Sequence, residues 1–273
     1  MRIPRQSRLA SGSLAALVAA VVLVTACDTT SSFSPSQQKW GFIYVSALKT
    51  TGGEYRVAPT GSFFRGSISS IPDARIRTDS CFTVGDYVAP SNGVLTGVTY
   101  LDAGASLTAK LGTTTNTIPR VSASASTLYN LASGTTLPYT PGDSIVMTVP
   151  GASGGYPGAE VRGRSAEPFT FDAVVPSTAT IPLKWSAATD GNSAMIISLQ
   201  YTPATSGAKT QEIRCAFTDD GVDSIPLRQH QAWSSATNAS RSISFTRLRT
   251  SIISVDDGAL ELISTFNVPT PTP

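Results

Sequence analysis

Five consecutive residues pose the first chemical question. Gly151-Ala152-Ser153-Gly154-Gly155 spells G-x-S-x-G, the string that holds the nucleophile at the sharp turn of serine hydrolases. The sole histidine, His230, follows Ser153 in the order that such a triad can take. A nucleophile elbow needs a helix directly after the serine, whereas Tyr156-Pro157-Gly158 cannot begin a normal one. His230 lies in a polar RQHQ segment that reads as a solvated loop. The string is therefore expected to be a glycine-rich loop, and no catalytic residue is assigned.

Oxygen ligands come next. Asp219, Asp220 and Asp223 surround Gly221 in TDDGVDS, and Asp256-Asp257 precede Gly258. The first group is a candidate calcium loop. It lacks the closing glutamate of an EF-hand, and Asp-Gly is also an ordinary turn signal. Zinc lacks ligands with one histidine present. No other cofactor is implied.

A glycan platform would need an exposed ring among polar neighbours. Trp185 ends an apolar run and is expected in the core. Trp40 marks the entry to the folded part. Trp233, in HQAWSSATN, is the better candidate for an exposed ligand platform. Arg241, Arg247 and Arg249 share one strand face with Ile243 and Phe245. They could meet a carboxylate or a partner protein; the plainer reading is a strand end emerging into solvent.

The elements that must position these residues are short strands. Aromatic and β-branched runs cover residues 41–45, 144–149, 169–175, 181–185, 242–253 and 260–266. Met195, Ile197, Leu199 and Tyr201 alternate with polar residues, as do Ile213, Cys215 and Phe217, which places Cys215 on a buried face. Turn signals recur at Gly52-Gly53, Asp190-Gly191, Asp220-Gly221 and Asp257-Gly258. No long amphipathic helix appears. The pattern predicts an all-β protein, an antiparallel β-sandwich, either one large or two tandem immunoglobulin-like sandwiches. A candidate sub-boundary lies near 150–168, which is rich in Gly and Pro.

The N-terminus places the protein. Arg2, Arg5 and Arg8 precede an uncharged apolar run over residues 14–24, too short to span a bilayer as a stable helix. Val24-Thr25-Ala26-Cys27 follows. This resembles the lipobox of bacterial lipoproteins. The resemblance implies cleavage before Cys27 and acylation of its thiol and new amino group. More than one acyl chain gives a durable attachment. The expected organisation is a signal peptide over 1–26, a lipidated cysteine and tether over 27–39, a β-sandwich region over 40–268 and a Pro/Thr tail over 269–273. A random-coil tether would reach roughly 20 Å. The expected location is the cell membrane or outer membrane, facing the periplasm or exterior.

With Cys27 lipidated, Cys81 and Cys215 remain as an even pair in an oxidising compartment. They are expected to bridge; the alternative is two separate buried thiols. Removing residues 1–26 takes away three arginines and leaves 17 basic against 18 acidic residues. That balance offers no basic field for nucleic acid. The expected partners are the membrane, through the anchor, and an envelope protein or glycan. The functional expectation is a non-catalytic binding or structural module. The alternatives are a carbohydrate-binding or hydrolytic envelope enzyme, and a subunit bracing a membrane complex.

Overall fold

Along the longest strand, Ile243, Phe245, Arg247 and Arg249 are buried at a spacing of two, so one face of that strand points inward. A computed structural model describes residues 38–66, 78–86, 98–123, 126–175 and 179–269. The signal segment, Cys27, most of the tether and the end of the tail lie outside the described residues.

In chain order the strands are β1 (Lys39–Lys49), β2 (Tyr55–Arg65), β3 (Ser80–Asp86), β4 (Thr99–Tyr100), β5 (Ser106–Leu111), β6 (Thr114–Ala123), β7 (Ser126–Asn130) and β8 (Leu137–Pro138). They continue as β9 (Ser144–Val149), β10 (Ala159–Arg164), β11 (Thr180–Lys184), β12 (Ala194–Pro203), β13 (Gln211–Thr218) and β14 (Val222–Pro226). A one-turn helix, α1 (Leu227–His230), precedes β15 (Asn238–Val255) and β16 (Gly258–Pro269).

The hydrogen-bonded order is β10-β9-β5-β6-β7-β2-β1-β16-β15-β12-β13-β3. Strand β6 turns the corner. Its first half pairs with β5 up to Pro119, and from Arg120 it pairs with β7. Proline has no N–H for a ladder, so the change of partner falls where pairing is weakest. The layer containing β5, β9 and β10 then folds over β15 and β16. Tyr156 Oη donates to the Ala259 carbonyl across the layers at 2.8 Å, and Ala166 N–H donates to Ser264 Oγ at 2.9 Å. One main core fills the space between, including Ile43, Val45, Phe63, Leu107, Met147, Val161, Leu260 and Leu262. The fold is all-β and antiparallel-dominated, a sandwich. The separate ribbon of β11 and β14 contributes Ile181, Leu183 and Ile225 to the same core.

Four details depart from the sequence reading. The sheet is not antiparallel throughout: in its middle β1 runs parallel to β16, from Lys39 opposite Gly258 to Ala47 opposite Phe266. The stretch 150–168 is not a linker, since it holds β10, paired with β9, and the buried Tyr156 and Val161. Residues 169–175 form no strand; only Phe171 bridges to Trp185. The turn before β16 is Asp256-Asp257, with Asp256 in the left-handed region at φ 44°. Gly258 already belongs to the strand, where a Cβ would collide with the Lys39 carbonyl.

Cys81 and Cys215 form a disulfide and stand directly opposite each other in β3 and β13. The bridge closes a separation of 134 residues and ties the last strand of the sheet to its neighbour. Cys215 is fully buried, as the alternation in β13 requires. On the other face of β1, Trp40, Phe42, Phe64, Ala259 and Ile263 form a second apolar cluster, in which the Phe42 and Phe64 rings stack at 5.7 Å.

Candidate functional site

Two arginines pointing into an apolar layer demand anions, because a buried charge without a partner is untenable. Arg247 and Arg249, two residues apart in β15, are 2% and 5% exposed. Three loops supply their carboxylates: Glu167 after β10, Asp190 before β12 and Asp219 after β13.

Arg247 uses its whole donor fork. Nε donates to Asp219 Oδ2 at 2.6 Å and Nη2 to Asp219 Oδ1 at 3.0 Å. Nη2 also donates to the Ser186 carbonyl, and Nη1 donates to the Glu167 and Pro168 carbonyls. The guanidinium lies over the Phe169 ring, 5.2 Å from its centre. Asp219 is equally occupied. Beyond Arg247, it accepts from Trp185 Nε1 at 2.7 Å and Ser193 Oγ at 2.8 Å.

Arg249 grips Glu167 with Nε and Nη2 at 2.9 and 2.8 Å, and Nη1 reaches Asp190 at 2.8 Å. Asp190 also accepts from Arg164 Nη1 at 3.1 Å. The Arg249 hydrogen bond, helped by the Asn192 backbone N–H, holds the Asp190 carboxyl below its usual range. Burial works against the Arg249 charge, but its bonds to Asp190 and Glu167 outweigh that and raise its pKa. Three cations face three anions here, so the cluster carries no formal excess charge.

This geometry revises the sequence expectations residue by residue. Asp219 is not a calcium ligand in waiting: both its oxygens are taken by Arg247, Trp185 and Ser193. Asp220 caps its own turn, accepting from Val222 N–H. Burial raises the pKa of Asp223, with the Asp79 and Asp220 charges adding to it. Among the described residues, no group of three or more His, Cys, Asp or Glu side chains is arranged to hold a metal ion.

Trp233 is not an exposed platform. It is fully buried, Nε1 donates to the Ser242 carbonyl at 3.0 Å, and Arg241 covers the ring at 5.5 Å. Its polar neighbours misled because the turn after α1 points this one residue inward. His230 is likewise buried, not solvated. Its Nδ1 pairs with Ser234 Oγ at 2.7 Å, Nε2 has no partner, and burial lowers its pKa. Ser153 is exposed in a turn between two strands, β9 and β10, with Gly155 N–H closing onto Ala152. Gly151 has φ 82°, and a Cβ there would strike Gly158, so the glycines serve the turn. The strand-to-helix turn of a hydrolase is not formed at this position.

Arg241 is set apart from the other two arginines, over Trp233. The plainer expectation for Arg247 and Arg249, a strand end emerging into solvent, gives way to burial. Glu167 and Asp190 are the residues that sequence reading missed. No family model matches the chain, and a search of curated proteins finds no match either.

Proposed function

We propose that the chain is a lipid-anchored protein of the cell envelope whose β-sandwich acts as a non-catalytic binding or bracing module. The N-terminal residues ending at Cys27 support the anchor, and the Cys81–Cys215 bridge fits an oxidising compartment. No helix among the described residues is long and apolar enough to cross a membrane.

One observation carries the non-catalytic reading. The polar cluster around Arg247 and Arg249 spends each guanidinium and carboxylate on another group of the same chain. A general acid or base must have a proton to exchange with a substrate, and a nucleophile must have a base beside it. These ion pairs instead fasten three loops to one strand, which is what a rigid presenting surface needs.

Mass spectrometry of the membrane-extracted protein tests the anchor: a diacylglyceryl-modified, N-acylated Cys27 is expected, and an unmodified Cys27 would end the proposal. In-cell crosslinking from the sandwich should capture an envelope component. Ser153→Ala should leave any hydrolase signal of the preparation unchanged; its loss would move the reading to an enzyme.

A further inference from the structure

A half-open cavity of about 250 Å³ lies at the seam where β10 crosses β15 and β16. Gly163 and Arg164 line it from β10, Arg249 and Ser251 from β15, Leu262 from β16, and Asn192 from the loop before β12. Gly163 keeps it open. A Cβ at that position would sit 3.0 Å from both Leu262 Cδ2 and Ser251 Oγ, on the cavity floor.

The lining turns away three classes of ligand. An anion finds no surplus charge, because Arg164 and Arg249 already face Asp190 and Glu167. A metal cation finds no spare carboxylate, for the same reason. An apolar molecule would bury amide, hydroxyl and guanidinium groups against carbon, with a single leucine in return. A neutral molecule that donates and accepts along one edge, and offers a C–H face to Leu262, satisfies every wall. A sugar ring has that chemistry. Pockets for larger organic ligands begin at roughly 300 Å³, so the space suits one ring and not a long chain.

We propose that this cavity binds one neutral hexose ring of a glycan, with its hydroxyls on Asn192, Ser251 and Arg164. The assignment rests on the binding-module reading and names the ligand class for it. Asn192 is the discriminating residue, since it is exposed and its main-chain N–H bond to Asp190 survives truncation of its side chain.

The test uses the full lipidated chain in detergent micelles, isotope-labelled at asparagine side chains. Cellobiose, lactose and N,N′-diacetylchitobiose are titrated beside glucuronic acid and inorganic phosphate. At least one neutral disaccharide should shift the Asn192 amide resonance and bind at least tenfold more tightly than either anion. Asn192→Ala should weaken that binding at least tenfold with an unchanged Tm, and Gly163→Ala should weaken it at least tenfold. Should Gly163→Ala misfold, the exposed Asn192→Ala still decides. Tighter binding of an anion, no shift with any of the three sugars, or binding indifferent to Asn192→Ala would overturn the assignment. A chain that captures an envelope protein yet ignores all three sugars refutes the cavity alone. Sugar binding at Asn192 beside an unmodified Cys27 refutes the anchor alone.

Discussion

Asp219 and Arg247 meet side by side, out of solvent, through two hydrogen bonds of 2.6 and 3.0 Å. Removing one partner strands the other as a buried charge, which typically costs about 3–5 kcal/mol. Asp219→Asn should lower the urea midpoint accordingly with an unchanged slope. Arg247→Lys should cost nearly as much, because three rotating donors cannot replace a planar fork. Either variant unfolding within about 1 kcal/mol of the parent would show that the pair is solvated.

The same saturation governs calcium. An ion at Asp219 would have to displace Arg247, Trp185 and Ser193 together. Neither millimolar calcium nor a chelator should move the thermal unfolding midpoint. A calcium-dependent rise in that midpoint would signal binding to the folded form and would return Asp219, Asp220 and Asp223 to the list of metal ligands.

Acid should act in two stages. Burial lowers the pKa of His230 below its unfolded value near 6.5, so the unfolded state takes up a proton first. The stability that His230 gives is complete above about pH 6.5 and is lost as pH falls through the lower folded value. Asp190, also depressed, keeps its contribution above about pH 4 and loses it at lower pH. His230→Gln should remove the first stage and leave the second, as read from urea midpoints from about pH 2 to pH 8. An unaltered pH profile in that variant would place the imidazole in solvent.

Inward alternation along β15 was readable from spacing alone, and so was the shared face of Arg247 and Arg249. What they meet was not. Glu167 and Asp190 sit in segments without periodicity, 82 and 59 residues away in the chain, and nothing local ties them to β15. Two arginines continuing the buried face that Phe245 occupies imply buried carboxylates, though not which. Trp233 and His230 failed for the opposite reason. Their neighbours are polar, and a single helical turn buries one side chain in four without leaving a pattern. The pairing of Cys81 with Cys215 was legible because the expected compartment and the parity left few options, while the register that sets them opposite each other belongs to β3, whose short run gave little to read.

Cutting the disulfide should loosen one edge of the sheet. The loop-entropy argument gives roughly 4–5 kcal/mol as an upper figure for a span of this length. Cys81→Ala with Cys215→Ala should therefore lower stability by about 2–5 kcal/mol. Hydrogen exchange should rise first in β3 and the outer ladder of β13, with β1 and β16 still protected. Uniform deprotection would mean that the bridge supports the whole fold and not its edge.

The parallel pairing of β1 with β16 has a mechanical side. The chain enters the sandwich at Lys39 and leaves it past Phe266, at opposite ends of two strands zipped in the same direction. If the proposed anchor holds the N-terminus, tension applied to the C-terminus would slide these strands lengthwise. Their hydrogen bonds would then be loaded together in shear, whereas an antiparallel pair pulled from one end peels apart bond by bond. Rupture under force follows the unfolding rate and not the equilibrium stability. A body of this topology, pulled from its two ends, can thus resist far better than its marginal free energy suggests.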